Sequence, residues 1–152
     1  MGTDQVVELV TSGGKALAEG GIRFDPRLVA HGHHRQDFAA ATVALIAADQ
    51  PPTAIFASND DMAAAVISVA HRRGLDVPRD LSVVGYDDTS AATTVWPELT
   101  TIRQPIAAMA DSAVDILLRS IRRKDRDIHM VVDHVVAHEL VERASVAAPP
   151  KD

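Results

Sequence analysis

The sequence contains no cysteine and almost no aromatic residues: one tryptophan, one tyrosine and three phenylalanines in 152 residues. Without cysteine there is no disulfide framework, no thiolate nucleophile and no zinc–sulfur site. With so few aromatics, the core has to be built from Ala, Val, Leu and Ile, which supply most of the 47 % apolar content. Excess positive charge is also missing. The formal net charge is −6, whereas a chain that binds nucleic acid directly carries a basic face. No stretch approaches the roughly 20 apolar residues that span a bilayer. Met1 to Val10 has neither a basic n-region nor a long apolar h-region, so no signal peptide is expected. A soluble, cytoplasmic chain with no membrane partner is the resulting expectation. Its length suits one ordinary domain.

The remaining pattern alternates short strand-like runs with helical periodicity. Residues 27–31 read as a strand. Phe38, Ala41, Thr42, Leu45 and Ile46 recur at three–four spacing, predicting a helix over 36–49 that Pro51 and Pro52 terminate. Thr53 to Ala57 is a second apolar strand. Ser58, Asn59, Asp60 and Asp61 then supply a cap and first-turn acids to a helix running from Met62 towards Gly74, which sits where a C′ glycine belongs. Leu81 to Tyr86 is a third strand. This order predicts an α/β fold: a Rossmann-like open parallel sheet with flanking helices. From 87 to 105 the chain reads as irregular. Ile106, Met109, Ala113, Leu117 and Ile121 then mark an amphipathic helix over 105–123, with Arg119, Arg122, Arg123 and Lys124 at its C-terminal end. Residues 130–136 and 138–143 read as extended. At the N-terminus, Val6, Val7 and Val10 begin a helical pattern that Gly13 and Gly14 interrupt.

In an open parallel sheet, ligands bind where the strand C-termini open into a crevice. The three predicted strand ends carry His31-Gly32-His33-His34, Ser58-Asn59-Asp60-Asp61 and Gly85-Tyr86-Asp87-Asp88-Thr89. Asp accepts two hydroxyls and Asn both donates and accepts, a combination suited to a polyhydroxylated ligand. The plainer reading is that Asn59 and the acids cap a helix and that 86–89 is a turn. His31 and His33 have the H-x-H spacing of some metal sites, but no cysteine supports it and the acids lie on other loops; the expectation is no metal. No nucleophile elbow, glycine-rich phosphate loop or zinc-protease motif is present, so no catalytic residue and no cofactor is assigned, and an enzyme is the least supported class.

The strings PTAIFASNDDMA (52–63), GLDVPRDLSVVGYDDT (74–89), PELTTIRQP (97–105) and ELVERAS (139–145) closely resemble the C-terminal half of the lactose-repressor/galactose-repressor (LacI/GalR) family of transcription regulators. The resemblance covers about Ala16 to Val146, with four motifs in register. It implies a periplasmic-binding-protein-like (type I) core, here incomplete, whose two lobes hold a small-molecule effector, with carbohydrate the expected class, and a separate helix-turn-helix that reads operator DNA in full-length members. By the same resemblance Asn59 and Asp87 hold the effector's polar groups, and His34 stands where an aromatic residue packs on it. Met62, Ala64, Val95 and Trp96 fall on segments that pair two copies in a dimer. The implied organisation is a divergent segment 1–15, a C-terminal subdomain of 16–99 with 130–147, and a crossover plus helix, 100–129, belonging to the other lobe. One departure stands out: Leu9, Ser12 and Gly13 occupy the places of the family's effector-clamping arginine and its Gly-aromatic pair. An effector-sensing, self-associating module without direct DNA contact is therefore expected; a remnant that only self-associates and a solute-binding fragment are the alternatives.

Overall fold

A computed structural model describes residues 14–29, 35–122 and 134–149. The expected helix around Val6 to Val10, the position of His34 and most of the expected extended run 130–136 lie outside them. The chain divides into two compact units, 1–52 and 53–152.

In the first unit, α1 (14–19) is closed by Gly21 at φ 73°. Ile22 N–H reaches back to Leu17 O and Gly21 N–H to Ala18 O, the 6→1 and 5→2 pair that satisfies the last carbonyls of a helix ending in a left-handed residue. The strand expected over 27–31 does not form in its described part. Asp25 caps a single 3₁₀ turn, Pro26–Leu28, by accepting the Arg27 backbone N–H at 2.9 Å. An Asp cap followed by a proline already holding helical φ outcompetes a run of three apolar residues. α2 spans Arg35–Ile46, shorter at its C-terminal end than the predicted 36–49.

The second unit holds the sheet. Strands β1 (Ala54–Phe56), β2 (Ser82–Asp87), β3 (Thr100–Arg103) and β4 (Glu139–Val141) lie in that spatial order. The first three are parallel and β4 runs antiparallel to β3. β1 and β2 match the expected runs. β3 corrects the irregular reading of 87–105. A short helix, α4 (Ala91–Thr94), lies in the same stretch.

The crossover from β1 to β2 is α3, Asp60–Arg72. It ends as its sequence predicts: Gly74 takes φ 76°, Leu75 N–H bonds to Ala70 O and Gly74 N–H to His71 O. Its buried face is small, Ala63, Ala64, Val66, Ile67 and Ala70, which lets the helix lie close on the sheet. The approach is tight at Gly85 in β2. A Cβ there would collide with Asp60 Oδ1, stand 2.7 Å from Leu99 Cδ2 and 3.4 Å from Ala63 Cβ. The glycine thus makes room for a fully buried Asp60 and Leu99. α5, Ile106–Arg122, agrees with the predicted 105–123, and its stripe is left uncovered: Ile106 and Leu117 are 61 % and Ile121 76 % exposed.

Because both atoms that a Gly85 side chain would strike are buried and packed, Gly85→Ala forces overpacking and displaces Asp60 from its donors. The expected loss is at least about 3 kcal/mol, read by chemical denaturation; a variant within about 0.5 kcal/mol of the parent would contradict this packing.

Candidate functional site

The loops following β1 and β2 lie side by side. Phe56 pairs with Val84, so Asn59 and Asp87 stand at the same offset beyond that pair. Asn59 is the N-cap of α3: its Oδ1 accepts the Met62 N–H at 2.8 Å. This bears out the plainer capping role for its oxygen, while its amide nitrogen donates to no described residue.

Asp60, which follows, organises the site. Its side chain is fully buried and accepts three hydrogen bonds, from Thr89 N at 2.6 Å, Thr89 Oγ1 at 3.2 Å and Thr101 Oγ1 at 2.6 Å. A buried acid is tolerable only when its lone pairs are filled, and among the described residues no buried side-chain polar atom lacks a partner. Asp60 therefore ties the start of α3 to the loop after β2 and to β3.

Between those anchors the chain turns through two left-handed residues, Asp87 (φ 106°) and Asp88 (φ 55°), a region that side chains other than Gly, Asn and Asp seldom enter. Their carboxyl groups face opposite electrostatic surroundings. Asp88 accepts from Arg143 Nη2 at 2.6 Å and from Arg103 Nε at 2.7 Å; these guanidinium hydrogen bonds, that of Arg143 foremost, hold its pKa below the ordinary value against some desolvation. Arg103 also reaches Glu139 Oε2 at 2.8 Å across the β3–β4 pair. Among the described residues Asp87 has one hydrogen-bond donor, Gln104 Nε2. Burial pushes its pKa up; the Gln104 hydrogen bond opposes this, and the nearby acids Asp60 and Asp61 add to the rise.

The C-terminal motif closes the far side. Arg143 is 14 % exposed in its side chain and donates to Leu99 O as well as to Asp88, while its own N–H goes to Thr100 Oγ1. Ser145 is fully buried, donating to Val83 O at 2.6 Å and accepting from Thr100 N at 2.8 Å. Of the expected site residues, the structure brings Asn59 and Asp87 to one edge; His34 lies outside the described residues. Sequence reasoning missed Thr89, Thr101, Arg103, Gln104 and Arg143 as partners, although all lie inside the four strings that carried the resemblance. Among the expected dimer residues, Trp96 is 79 % exposed and Met62 and Val95 are half-buried, but Ala64 is buried at 7 % in the chain's own core. The reason is its place on the α3 face that packs inward, so Ala64 offers no free surface. Among the described residues no three histidines or acids are grouped to hold a metal ion, and no helix is long and apolar enough to cross a membrane.

A mostly parallel sheet with its polar loops gathered at the strand C-termini defines a periplasmic-binding-protein-like architecture. The chain belongs to the periplasmic binding protein-like domain family, whose model matches residues 13–146. Its curated relatives are regulators of transcription rather than enzymes. The chain is 35 % identical over 141 residues to the HTH-type transcriptional repressor PurR of Vibrio atlanticus, covering 92 % of this chain and 41 % of that protein. It is 38 % identical to the HTH-type transcriptional regulator MalR of Clostridium butyricum, covering 86 % and 38 %. A LacI family transcriptional regulator from Bifidobacterium animalis subsp. lactis superposes with a TM-score of 0.77 at 30 % identity, over 90 % of this chain and 48 % of that one. The transcriptional regulator CelR in complex with cellobiose superposes with a TM-score of 0.77 at 30 % identity, over 87 % and 40 %. The match falls on the effector-binding region of LacI-type regulators, and the chain spans about two fifths of the two curated relatives' length.

The Asp88 carboxylate gains its partners in the folded state, so its folded pKa is lowered. That contribution is complete above the ordinary carboxylate range and is lost as pH falls through the lowered value. Asp88→Asn removes the nearer of Arg143's two carboxylate partners, leaving Glu98 at 4.0 Å, and the expected cost at pH 7 is about 2–3 kcal/mol. Urea melts at pH 7 and pH 3 should show the gap between the two proteins narrowing at the acid end; an equal gap at both would remove the charge from the explanation.

Proposed function

We propose that this chain is the C-terminal part of the effector-sensing core of a LacI-type transcription regulator, and that it binds a small polyhydroxylated molecule at the C-terminal edge of β1 and β2. Asn59 offers an amide N–H₂ that donates to no described residue, and Asp87 a carboxylate whose one donor among the described residues is Gln104; His34 joins them on the strength of the sequence resemblance alone. The observation that carries the reading is Asp87 itself. It stands in left-handed backbone at a strand end, and burial raises its pKa where two neighbouring acids raise it further. Strained backbone and desolvated carboxyl groups cluster at binding sites. Asp88, one residue on, is a structural ion pair by contrast. A carbohydrate is the favoured class, because the CelR relative is described with cellobiose and an acid beside an amide suits vicinal hydroxyls.

Calorimetry against pentoses, hexoses and disaccharides including cellobiose tests this. Leu9 replaces the expected arginine, and a missing charge-assisted hydrogen bond costs about 1.5–3 kcal/mol, one to two decades. The expected affinity is therefore weak, about millimolar, and abolished in Asp87→Ala. A ligand whose affinity is unchanged by Asp87→Ala would refute the site.

Self-association is the second part of the proposal. Trp96, Val95 and Met62 form one candidate contact, and the uncovered stripe of α5 (Ile106, Val114, Leu117 and Ile121) another. In the longer regulator we assign α5, and the chain that follows it to residue 129, to the other lobe. The net charge of −6 opposes phosphate contacts, so operator DNA would be read elsewhere in such a regulator. The uncovered stripe also suits the reading in which the isolated chain only self-associates. Sedimentation velocity at micromolar concentration is expected to show dimers or larger species, shifted towards monomer by Trp96→Glu; a compact monomer of the parent chain would refute self-association.

A further inference from the structure

We propose that Gln104 is a positioning residue that couples the carboxylate of Asp87 to the first turn of α5. This deepens the preceding proposal and takes its functional meaning from the reading of Asp87 as an effector contact.

The coupling rests on one residue making two bonds in opposite directions. Through its side chain, Gln104 Nε2 donates to Asp87 Oδ1 at 2.5 Å. Through its main chain, Gln104 O accepts the Ile106 N–H at 2.9 Å. Asp87 and Arg103 are paired positions of β2 and β3, so Gln104 stands one residue beyond the sheet. Pro105 follows, with φ confined by its ring, and its carbonyl accepts the first α-helical bond of α5, from Met109 N–H at 2.9 Å. No flexible residue separates the amide that touches Asp87 from the start of the helix. A shift of the Asp87 carboxylate towards an incoming hydroxyl draws the Gln104 side chain with it, and α5 is attached at the same residue. α5 is also the element with an uncovered apolar face, so its orientation decides which surface the chain presents.

The charged groups around Asp87 are accounted for. From α3 it faces Asp60 and Asp61, both of which act on it electrostatically. Asp88 follows it in the chain, paired with Arg103 of β3 and with Arg143 beyond β4. Gln104 is the neutral member of this set and the hydrogen-bond donor that favours the anionic form of Asp87. Its amide is therefore a connection to Asp87 that can be cut without changing the charge.

The experiment needs no ligand. The whole chain, ¹³C,¹⁵N-labelled, is titrated with acid while the Asp87 carboxyl carbon and the Ile106 amide are followed by NMR. In the parent chain the two resonances are expected to share one midpoint. In Gln104→Leu the Asp87 midpoint moves up, because a bond favouring the anion is gone, and the Ile106 inflection at that midpoint disappears. Should Gln104→Leu fail to fold, Asp87→Asn serves, since Asn tolerates left-handed backbone; there the Ile106 inflection vanishes while those of the other acids persist. An Ile106 amide that ignores Asp87 in the parent chain, or still follows it in Gln104→Leu, overturns the proposal. A flat calorimetric titration would count against the effector reading alone, and an unresponsive Ile106 against the coupling alone.

Discussion

The second unit depends on one contact, the buried carboxyl group of Asp60 seated over the bare backbone of Gly85. Burying an acid is costly unless its acceptors are filled. Here Thr89 and Thr101 fill them, one from the loop after β2 and one from β3. The helix, the central strand and the third strand are thereby held in a single register. Any side chain at residue 85 would strike Asp60 and Leu99, so the hydrogen bonds and the close helix–sheet packing are the same constraint seen from two sides.

Around that hub lies a second layer of polar contacts that fastens the C-terminal segment. Arg143 and Ser145 fill backbone groups of Leu99, Val83 and Thr100, and Arg143 neutralises Asp88. Hydrogen bonds to charged groups in a poorly solvated setting are worth more than neutral ones. That is how β4, three residues long, stays on the edge of the sheet. The left-handed pair Asp87–Asp88 is the geometric result. With Thr89 fixed to Asp60 and Asp88 fixed to two arginines, Asp87 is left at the strand end with a glutamine for a partner. The surrounding structure holds it in a conformation and a state of desolvation that it would not adopt freely.

Neighbouring acids thus have separate tasks. Asp60 and Asp88 are filled with donors and hold the fold, whereas Asp87 has a single donor, Gln104, among the described residues. The chain belongs to the periplasmic binding protein-like family, and the uneven distribution of donors among its acids is what our proposal of Asp87 as the ligand contact rests on. The apolar face of α5 belongs to the same account. Ile106, Leu117 and Ile121 are exposed on it, and that exposure is what our assignment of α5 to a second lobe rests on.

Local chemistry in the sequence determined α2, α3, α5, β1, β2 and the glycine that ends α3. Each rests on periodicity, capping or turn residues that act within a few positions. The expected strand over 27–31 failed for a local reason as well, since Asp25 and Pro26 specify a 3₁₀ turn. The resemblance carried by four strings named the family and pointed to Asn59 and Asp87. What only the tertiary structure decided is β3 and the division of labour among the acids. Thr100 and Thr101 are poor core residues by pattern. They become buried strand residues because Asp60, Arg143 and Ser145, each more than forty positions away, fill their hydrogen-bonding groups. No pattern within a strand's length displays partners at that separation, so the same Thr-Thr reads as loop in the sequence and stands in the middle of the sheet in the fold.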